Sequence, residues 1–191
     1  QDKSIKVPFV VPNIDNSDKK AVITALESNL LTGGPTLRKF ENSFRDLTGS
    51  KYAIGVSNAT AALQLSLKSL KIGKDDEVII PDMTFVATAN AVLFTGATPI
   101  LADIDFEDLN ISVESIKKNM SSKTKAIIPV HFAGKSCNMK EIRKIAKQYR
   151  VKIIEDCAHA VGTKFGHTHV GNFGETGCFS FYPTKNLTTI E

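Results

Sequence analysis

The chain has 191 residues and a mass of 20.8 kDa, a length that suits one large domain better than two. Hydrophobic residues make up 42% and charged residues 23%, and the mean hydropathy of -0.06 is typical of a folded soluble chain rather than a disordered or membrane one. The formal net charge of +4 is too small to argue for a nucleic-acid surface.

The cysteines and the lack of long apolar runs indicate in which cellular compartment the protein works. Cys137, Cys157 and Cys178 are widely spaced, without the clustering that a zinc site or a disulfide scaffold needs, so we expect reduced thiols and no metal. Residues 1–12 lack a signal-peptide core, and no stretch approaches the ~20 apolar residues that span a bilayer. We therefore predict a cytoplasmic protein with no membrane contact.

Two helices are predicted before the first strand. One covers residues 17–28 with Asn16 or Ser17 as N-cap, and the other covers residues 35–47 with Pro35 in its first turn. Short apolar runs then predict strands that are covered on both faces, at residues 52–56, 77–80, 98–102, 126–130, 151–154 and 177–181. Amphipathic stretches between them predict helices at residues 59–70, 84–94, 113–119 and 139–149.

This alternation predicts an α/β fold with a mostly parallel sheet and helices on both faces. We expect residues 1–34 to form an N-terminal segment with the first helix, and residues 35–191 to form the sheet domain. The lysine-rich stretch from residue 117 to residue 152 is interpreted as solvated helix faces, since its charges lie opposite an apolar stripe; attraction of an anionic ligand is the alternative.

Ligands of open α/β sheets bind at the carboxyl ends of the strands, and the first such end runs through GVSNATAAL at residues 55–63. Free backbone N–H groups at Ala59 and Thr60, with a hydroxyl of Ser57 or Thr60, would make an anion cradle for one phosphate. The pattern matches neither a dinucleotide-binding motif nor a P-loop. The alternative is that Ser57 and Asn58 only cap the helix.

Two acids end a later strand, in the run VKIIEDCAH. Strand alternation sends Glu155 and Asp156 to opposite faces, so only one of them is expected to meet a ligand. Such an acid can hold a metal, a ribose or a protonated heterocycle nitrogen, and a metal is the least favoured because no acid cluster accompanies it. His159 either contacts the same ligand or caps the turn.

A lysine follows the last predicted strand, in the run GCFSFYPTKN. Lys185 comes directly after a strand that looks buried, where desolvation lowers the pKa of an amine enough for imine chemistry; the alternative is an exposed charge. At another strand end, Phe85 can cover a flat ring or can pack between helix and sheet. Cradle, acid, aromatic ring and lysine together are what pyridoxal 5′-phosphate (PLP) requires.

At these residues the sequence resembles the DegT/StrS-type sugar aminotransferases, a branch of the fold-type-I PLP enzymes, along almost the whole chain. The resemblance implies the large domain of the aspartate aminotransferase-like fold. The motifs that carry it are TGGP, GVSNATAAL, PDMTFVATAN, GATP, PVHFAG, EDCAHAVG, VG and CFSFYPTKNLTTIE.

The resemblance implies that Lys185 forms the Schiff base with PLP and moves protons, that Asp156 partners the pyridine nitrogen, and that Phe85 stacks on the ring. Related sugar dehydratases carry histidine at the lysine position, so Lys185 favours transamination over dehydration.

For the rest of the cofactor, the resemblance implies that Ala59, Thr60 and Ser180 hold the phosphate. His159 occupies a position that is Gln or His in the family and would lie by the 3′-oxygen of the cofactor. The cradle departs from the family pattern, which has Gly-Thr where this chain has Ala59-Thr60, and Ile190 stands where a smaller residue is common.

The resemblance also implies the reaction and the assembly. The segments LKIGKDDEVI, TKAIIPVHFAG and EDCAHAVGT look most like the branch that aminates UDP-linked 4-keto sugars of the 4-amino-4-deoxy-L-arabinose type, with L-glutamate as donor. A dTDP-linked 6-deoxy sugar is the other substrate considered, for polysaccharide, lipopolysaccharide or antibiotic sugars. Family members act as homodimers and continue through a small C-terminal domain, so we expect this chain to be the cofactor-binding part and inactive alone.

Two non-catalytic hypotheses remain from the residues. One is an α/β nucleotide-binding or regulatory module that uses only the cradle at residues 57–60. The other is an interaction fragment whose basic segment contacts an acidic partner.

Overall fold

A parallel sheet forms the centre of the computed structural model, which describes residues 11–189. The strands are β1 (Glu77–Pro81), β2 (Thr98–Ala102), β3 (Thr124–Ile127), β4 (Lys152–Asp156), β5 (Lys164–Phe165), β6 (Thr168–His169) and β7 (Thr176–Cys178). Five of them make the sheet, in the order β2-β1-β3-β4-β7 with every neighbouring pair parallel, while β5 and β6 form a separate antiparallel hairpin. The predicted α/β fold with a mostly parallel sheet is confirmed.

The helices are α1 (Asn16–Leu26), α2 (Gly34–Thr48), α3 (Ala59–Ser69), α4 (Val86–Leu93), α5 (Val113–Lys118) and α6 (Met139–Tyr149), with one 3-10 turn at Phe132–Gly134. Pro35 lies in the first turn of α2, as predicted. The predicted cap of α1 is wrong, because Asp15 is the N-cap and exchanges hydrogen bonds with Asp18 in a capping box.

The sheet has a separate apolar core on each face, because successive strand residues point to opposite sides. On the face covered by α3 and α4, the core consists chiefly of Leu63, Leu67, Val78, Ile80, Ala91, Val92, Ile128 and Ile154. On the face covered by α5 and α6, it consists chiefly of Ile79, Ile116, Ile127, Ile142, Ile145 and Ile153. The prediction of helices on both faces is therefore confirmed.

Helix α6 accounts for part of the basic segment. Met139, Ile142, Ile145 and Ala146 are buried, whereas Lys140, Arg143, Lys144 and Lys147 are exposed. The lysines of this helix thus form a solvated face opposite the buried stripe, as expected from the periodicity.

The strand predicted at residues 52–56 is wrong. The segment has no strand pairing, and Tyr52 and Ile54 are 72% and 80% exposed. A cavity of about 700 Å³ lies between this segment and β7. A strand needs a neighbour for its backbone groups, and none stands beside these residues within 11–189; Gly55 instead donates its N–H to the carboxylate of Glu41 at 2.8 Å.

The last predicted strand, at residues 177–181, is shorter than expected and ends at Cys178. The rings beyond it turn toward α2: Phe179 meets Phe44 edge-on at 4.9 Å between centroids, and Phe181 meets Phe40 at 5.0 Å. These aromatic contacts form in place of further ladder hydrogen bonds.

All three cysteines are buried and free, in agreement with the prediction of reduced thiols. Burial raises the pKa of each thiol, that of Cys178 to about 12. Within residues 11–189, none of the helices combines the length and the apolar character that a bilayer span requires. Most of the signal-peptide region considered above, and Ile190, lie outside the described residues.

Candidate active site

The candidate residues follow the carboxyl ends of β1, β4 and β7, which meet at one edge of the sheet because the strands are parallel. Phe85 follows β1, Asp156 ends β4, and Ser180 and Lys185 follow β7. At the amino terminus of α3, Ala59 lines a cavity that Ser180 also lines. Residues 121 positions apart in the sequence thus border one cavity.

Asp156 is almost fully buried, with 5% of its surface exposed. Its Oδ2 accepts a hydrogen bond from the Thr88 hydroxyl at 2.9 Å, and its Oδ1 accepts one from the Ala158 N–H at 3.1 Å. Burial raises the pKa of the carboxyl above its usual value, while these two bonds and the charge of His159 oppose that rise. The result is a buried acid that has accepting capacity left for a cationic ligand group.

Lys185 and His159 lie within electrostatic range of Asp156. Partial burial lowers the pKa of the Lys185 amine, and the charge of Asp156 opposes the change. Burial is also the main cause that lowers the pKa of His159, followed by the charge of Lys185. Amine, imidazole and carboxylate therefore influence one another's protonation, which is the arrangement expected of groups that share one ligand.

The turn that carries Lys185 is set by its own backbone. The Lys185 N–H donates to the carbonyl of Tyr182 at 2.8 Å, and Pro183 lies inside the turn. Ser180, just before it, accepts a long hydrogen bond of 3.4 Å from the Tyr182 N–H. Lys185 is partly buried in this turn, although lysine is usually exposed.

At the start of α3, two backbone N–H groups are available to a ligand. Asn58 caps the helix, and its side chain accepts the Ala61 N–H at 2.9 Å. The N–H groups of Ala59 and Thr60 precede the first intrahelical bond, which Ala62 makes to the Asn58 carbonyl, so both point out of the helix end. The capping alternative and the anion cradle are therefore compatible, since the cap uses a different N–H.

Phe85 does not pack between helix and sheet. It precedes α4 as the N-cap residue, and its ring is 73% exposed at the sheet edge. The alternative of ordinary helix–sheet packing for Phe85 is wrong, and the ring face is free to cover a ligand.

Sequence reasoning missed Thr88 and the role of Glu155. Thr88 is fully buried on α4 and bonds to Asp156 across a separation of 68 residues. Glu155 lies on the opposite face of β4, as alternation predicts, and holds the loop at residues 171–174. The available signal for Thr88 was a polar residue in a mostly apolar helix, which it shares with Asn90.

Glu155 also belongs to a buried group with His131 and Cys157 whose potential ligand atoms lie within 4.8 Å of one another. The imidazole and the carboxylate are already engaged in hydrogen bonds. The imidazole Nδ1 of His131 accepts the Cys137 N–H at 3.1 Å, so its Nε2 carries the proton and donates to Glu155 at 3.1 Å. Burial raises the pKa of the Cys157 thiol far above its usual value. The donor set fits a hydrogen-bond network rather than a metal site.

Comparison with known proteins decides the family. A sequence model of the DegT/DnrJ/EryC1/StrS aminotransferase family matches residues 12–191. This chain belongs to that family. The family is PLP-dependent, and solved structures similar to this chain hold PLP or its amine form, pyridoxamine 5′-phosphate.

Among curated relatives, the spore coat polysaccharide biosynthesis protein SpsC of Bacillus subtilis is 43% identical over 185 residues, which are 97% of this chain and 48% of that protein. Among solved structures, Helicobacter pylori PseC, an aminotransferase involved in the biosynthesis of pseudoaminic acid, is 35% identical with a TM-score of 0.90 and covers 96% of this chain and 50% of its own.

A third relative carries the cofactor in its amine form. NtdA of Bacillus subtilis, solved with bound pyridoxamine 5′-phosphate, is 34% identical with a TM-score of 0.87, and the match covers 98% of this chain and 44% of that chain. The chain thus spans about half the length of these relatives.

The residues at the sheet edge fit such a cofactor. Two unpaired N–H groups at the start of α3 suit a phosphate, the exposed Phe85 ring suits a flat heterocycle, and a buried acid and a partly buried amine lie nearby.

Proposed function

We propose that this chain is the cofactor-binding part of a cytoplasmic sugar aminotransferase that moves an amino group from L-glutamate to a nucleotide-linked keto sugar. The sugar is a UDP- or dTDP-linked 4-keto pentose or 6-deoxy hexose, for surface polysaccharide, lipopolysaccharide or antibiotic sugar synthesis. Family membership and relatives such as SpsC and PseC support the class of substrate. The three free thiols suit a reducing compartment.

The observation that carries the proposal is that Asp156 interacts electrostatically with Lys185 and His159 at one edge of the sheet. When bound, PLP supplies a carbonyl that condenses with amines and a ring that takes up electrons as the amino donor loses a proton. The Asp156 carboxylate would accept a hydrogen bond from the ring nitrogen and keep it protonated. The partly buried Lys185 would attach the cofactor.

Lys185 has a second role in this proposal. It would be a free amine once the nitrogen of the amino donor has replaced Nζ on the cofactor. Its lowered pKa increases the neutral fraction of Nζ, and only a neutral amine can accept the proton that leaves the α-carbon of the amino donor. The charge of Asp156 limits this lowering, so the amine can return the proton at the next stage. His159 would hold the 3′-oxygen of the cofactor by a hydrogen bond.

The remaining contacts hold the cofactor in place. The N–H groups of Ala59 and Thr60 and the hydroxyl of Ser180 would bind its phosphate, aided by the dipole of α3. Phe85 would cover the ring and exclude water from it.

We propose that the site is completed by a second copy of the chain in a homodimer. Apolar side chains remain exposed beside the site, namely Phe85 and Val86, at 73% and 58%. Light scattering of the full-length protein is expected to give the mass of a dimer; a monomer at micromolar concentration would contradict this part of the proposal.

The first test labels the cofactor lysine. The chain is incubated with PLP, reduced with borohydride and digested, and the labelled peptide is mapped by mass. We expect one adduct, on Lys185, that is absent from Lys185→Ala and retained in Lys164→Ala, a control that removes an exposed lysine of the β5–β6 hairpin. An adduct that persists in Lys185→Ala, or labelling scattered over many lysines, would overturn the assignment.

The second test concerns the substrates. Adding L-glutamate to the full-length protein with bound PLP is expected to remove the visible absorbance of the cofactor, and a UDP- or dTDP-linked 4-keto sugar is expected to restore it. Restoration by simple 2-keto acids alone would contradict the sugar assignment. Saturable nucleotide binding that Lys185→Ala does not change, without visible absorbance, would favour the non-catalytic module instead.

A further inference from the structure

Two threonine hydroxyls form a chain that ends on Asp156. Thr88 is fully buried, and its Oγ1 lies 2.9 Å from Oδ2 of Asp156 and 2.8 Å from Oγ1 of Thr84. Thr84 lies one turn earlier, directly before the N-cap residue Phe85. The resemblance to the family implied no role for either hydroxyl.

The direction of the chain follows from proton counting. A hydroxyl has one proton to donate, and an ionised carboxylate can only accept, so the proton of Thr88 is committed to Asp156. The bond between the two threonines must then be donated by Thr84 to Thr88. A donor that itself accepts a hydrogen bond is polarised and bonds more strongly to the carboxylate.

The same residue is tied to the aromatic ring of the site. The Thr88 N–H donates to the carbonyl of Phe85 at 3.1 Å and closes the first turn of α4. Thr88 therefore connects Phe85 through its backbone and Asp156 through its side chain. These are the two groups that the proposed function assigns to the ring and to the ring nitrogen.

We propose that Thr88 is a positioning residue, which with Thr84 holds the Asp156 carboxylate in one orientation relative to Phe85 and keeps it an acceptor. This inference rests on the proposed function, since it concerns the partner of the ring nitrogen. The affinity for PLP would then depend on the Thr88 hydroxyl, although this hydroxyl does not contact the cofactor.

The protonation of Asp156 supports the proposal. Burial raises the pKa of this carboxyl, and the Thr88 hydroxyl is one of the groups that counter the rise. The titratable groups that interact electrostatically with Asp156 are His159, His131, Lys185, Cys157 and Cys178. Both thiols hold their protons because burial raises their pKa, and they add no charge near neutral pH.

The test compares Thr88→Val, which keeps the shape but removes the hydroxyl, with Thr88→Ser, which restores it. The first readout needs no cofactor: the carboxyl carbon of Asp156 is titrated by NMR in the chain without ligand. We expect Thr88→Val to raise the pKa of Asp156 further, and Thr88→Ser to return it toward wild type.

The second readout is the affinity for PLP at neutral pH. Loss of one hydrogen bond to a charged group is expected to raise the Kd of Thr88→Val about tenfold, with recovery in Thr88→Ser. Thr84→Val is expected to show a weaker effect in the same direction. The control is Thr124→Val, which removes a buried hydroxyl at the opposite, amino-terminal end of β3 and should change neither readout.

The outcomes separate this inference from the proposed function. If Lys185 is labelled in the wild type but Thr88→Val leaves both the Asp156 titration and the Kd unchanged, the inference fails and the proposed function stands. If Lys185 is not labelled at all, the proposed function fails. If Thr88→Ser is as impaired as Thr88→Val, the effect is one of packing and the hydroxyl has no positioning role.

Discussion

Two neighbouring acids on β4, Glu155 and Asp156, have opposite surroundings. Glu155 is fully buried and accepts hydrogen bonds from the N–H groups of Gly171, Phe173 and Gly174 at 2.7–2.9 Å, and from His131 at 3.1 Å. Asp156 is nearly as buried, but within residues 11–189 it accepts only from Thr88 and Ala158. A carboxylate has about four acceptor sites, so Glu155 is saturated and Asp156 is not.

The difference separates a carboxylate that holds the fold from one that is available to a ligand. Three of the four donors to Glu155 come from a loop that leads into β7, so these bonds secure the strand that precedes Lys185. Asp156 instead has acceptor capacity left, and its charge acts on the pKa of Lys185 and of His159. Burial alone does not distinguish the two acids, whereas the number of committed acceptor sites does.

The largest effect is expected from Glu155→Ala. It would leave three partly buried backbone N–H groups and the fully buried His131 N–H without an acceptor, which costs about 3–5 kcal/mol in the free energy of unfolding. Urea unfolding followed by circular dichroism measures the loss. Glu155→Gln, which keeps the shape, should lose less and serves if the alanine variant does not fold. The control is Glu175→Ala in the same loop, where a partly exposed carboxylate accepts one backbone bond; an equal loss there would remove the contrast.

The reverse pattern is expected for Asp156→Asn. Its affinity for PLP should fall about a hundredfold, because the ring nitrogen loses a charged partner in a buried site. Its stability near neutral pH should not fall, since burial raises the pKa of this carboxyl and its ionised form therefore opposes folding.

The pH dependence of stability tests whether ionised Asp156 opposes folding. With a raised pKa, the folded state binds more protons than the unfolded state, so the contribution of Asp156 is lost as pH rises from its ordinary value of 3.8 through the raised one. Asp156→Asn should lack this fall in urea unfolding measured over the acid range. A steeper fall in the variant would contradict our account of Asp156.

The smallest effect concerns the reactivity of Lys185. Its lowered pKa should make it react with acetic anhydride at a lower pH than the exposed Lys164, as measured by mass spectrometry. Asp156→Asn removes a charge that holds this pKa up, so the profile should move to still lower pH, whereas Glu155→Gln should leave it in place. If Lys185 and Lys164 were acetylated with the same pH dependence, our placement of Lys185 in the site would be contradicted.

Much of this arrangement could be predicted from local sequence. The bounds of α6 match the prediction, and the parity of β4 placed Glu155 and Asp156 on opposite faces. Residues 52–56 show the limit of this reasoning. Their apolar pattern suits a strand, but a strand exists only if a neighbour accepts its hydrogen bonds, and no local pattern reports the neighbour.

By itself, the sequence determined the periodic features: which faces of the helices are apolar, and which strand ends carry an acid, a ring and a lysine. The prediction that every strand is covered on both faces is wrong for β2, which lies at the edge of the sheet and leaves Leu101 59% exposed. Only the tertiary structure decided that Thr88 reaches Asp156 and that the loop at residues 171–174 reaches Glu155. The physical reason is range. Helix and strand periodicity arise from neighbouring residues, whereas the satisfaction of a buried carboxylate depends on donors that folding brings together from distant parts of the chain.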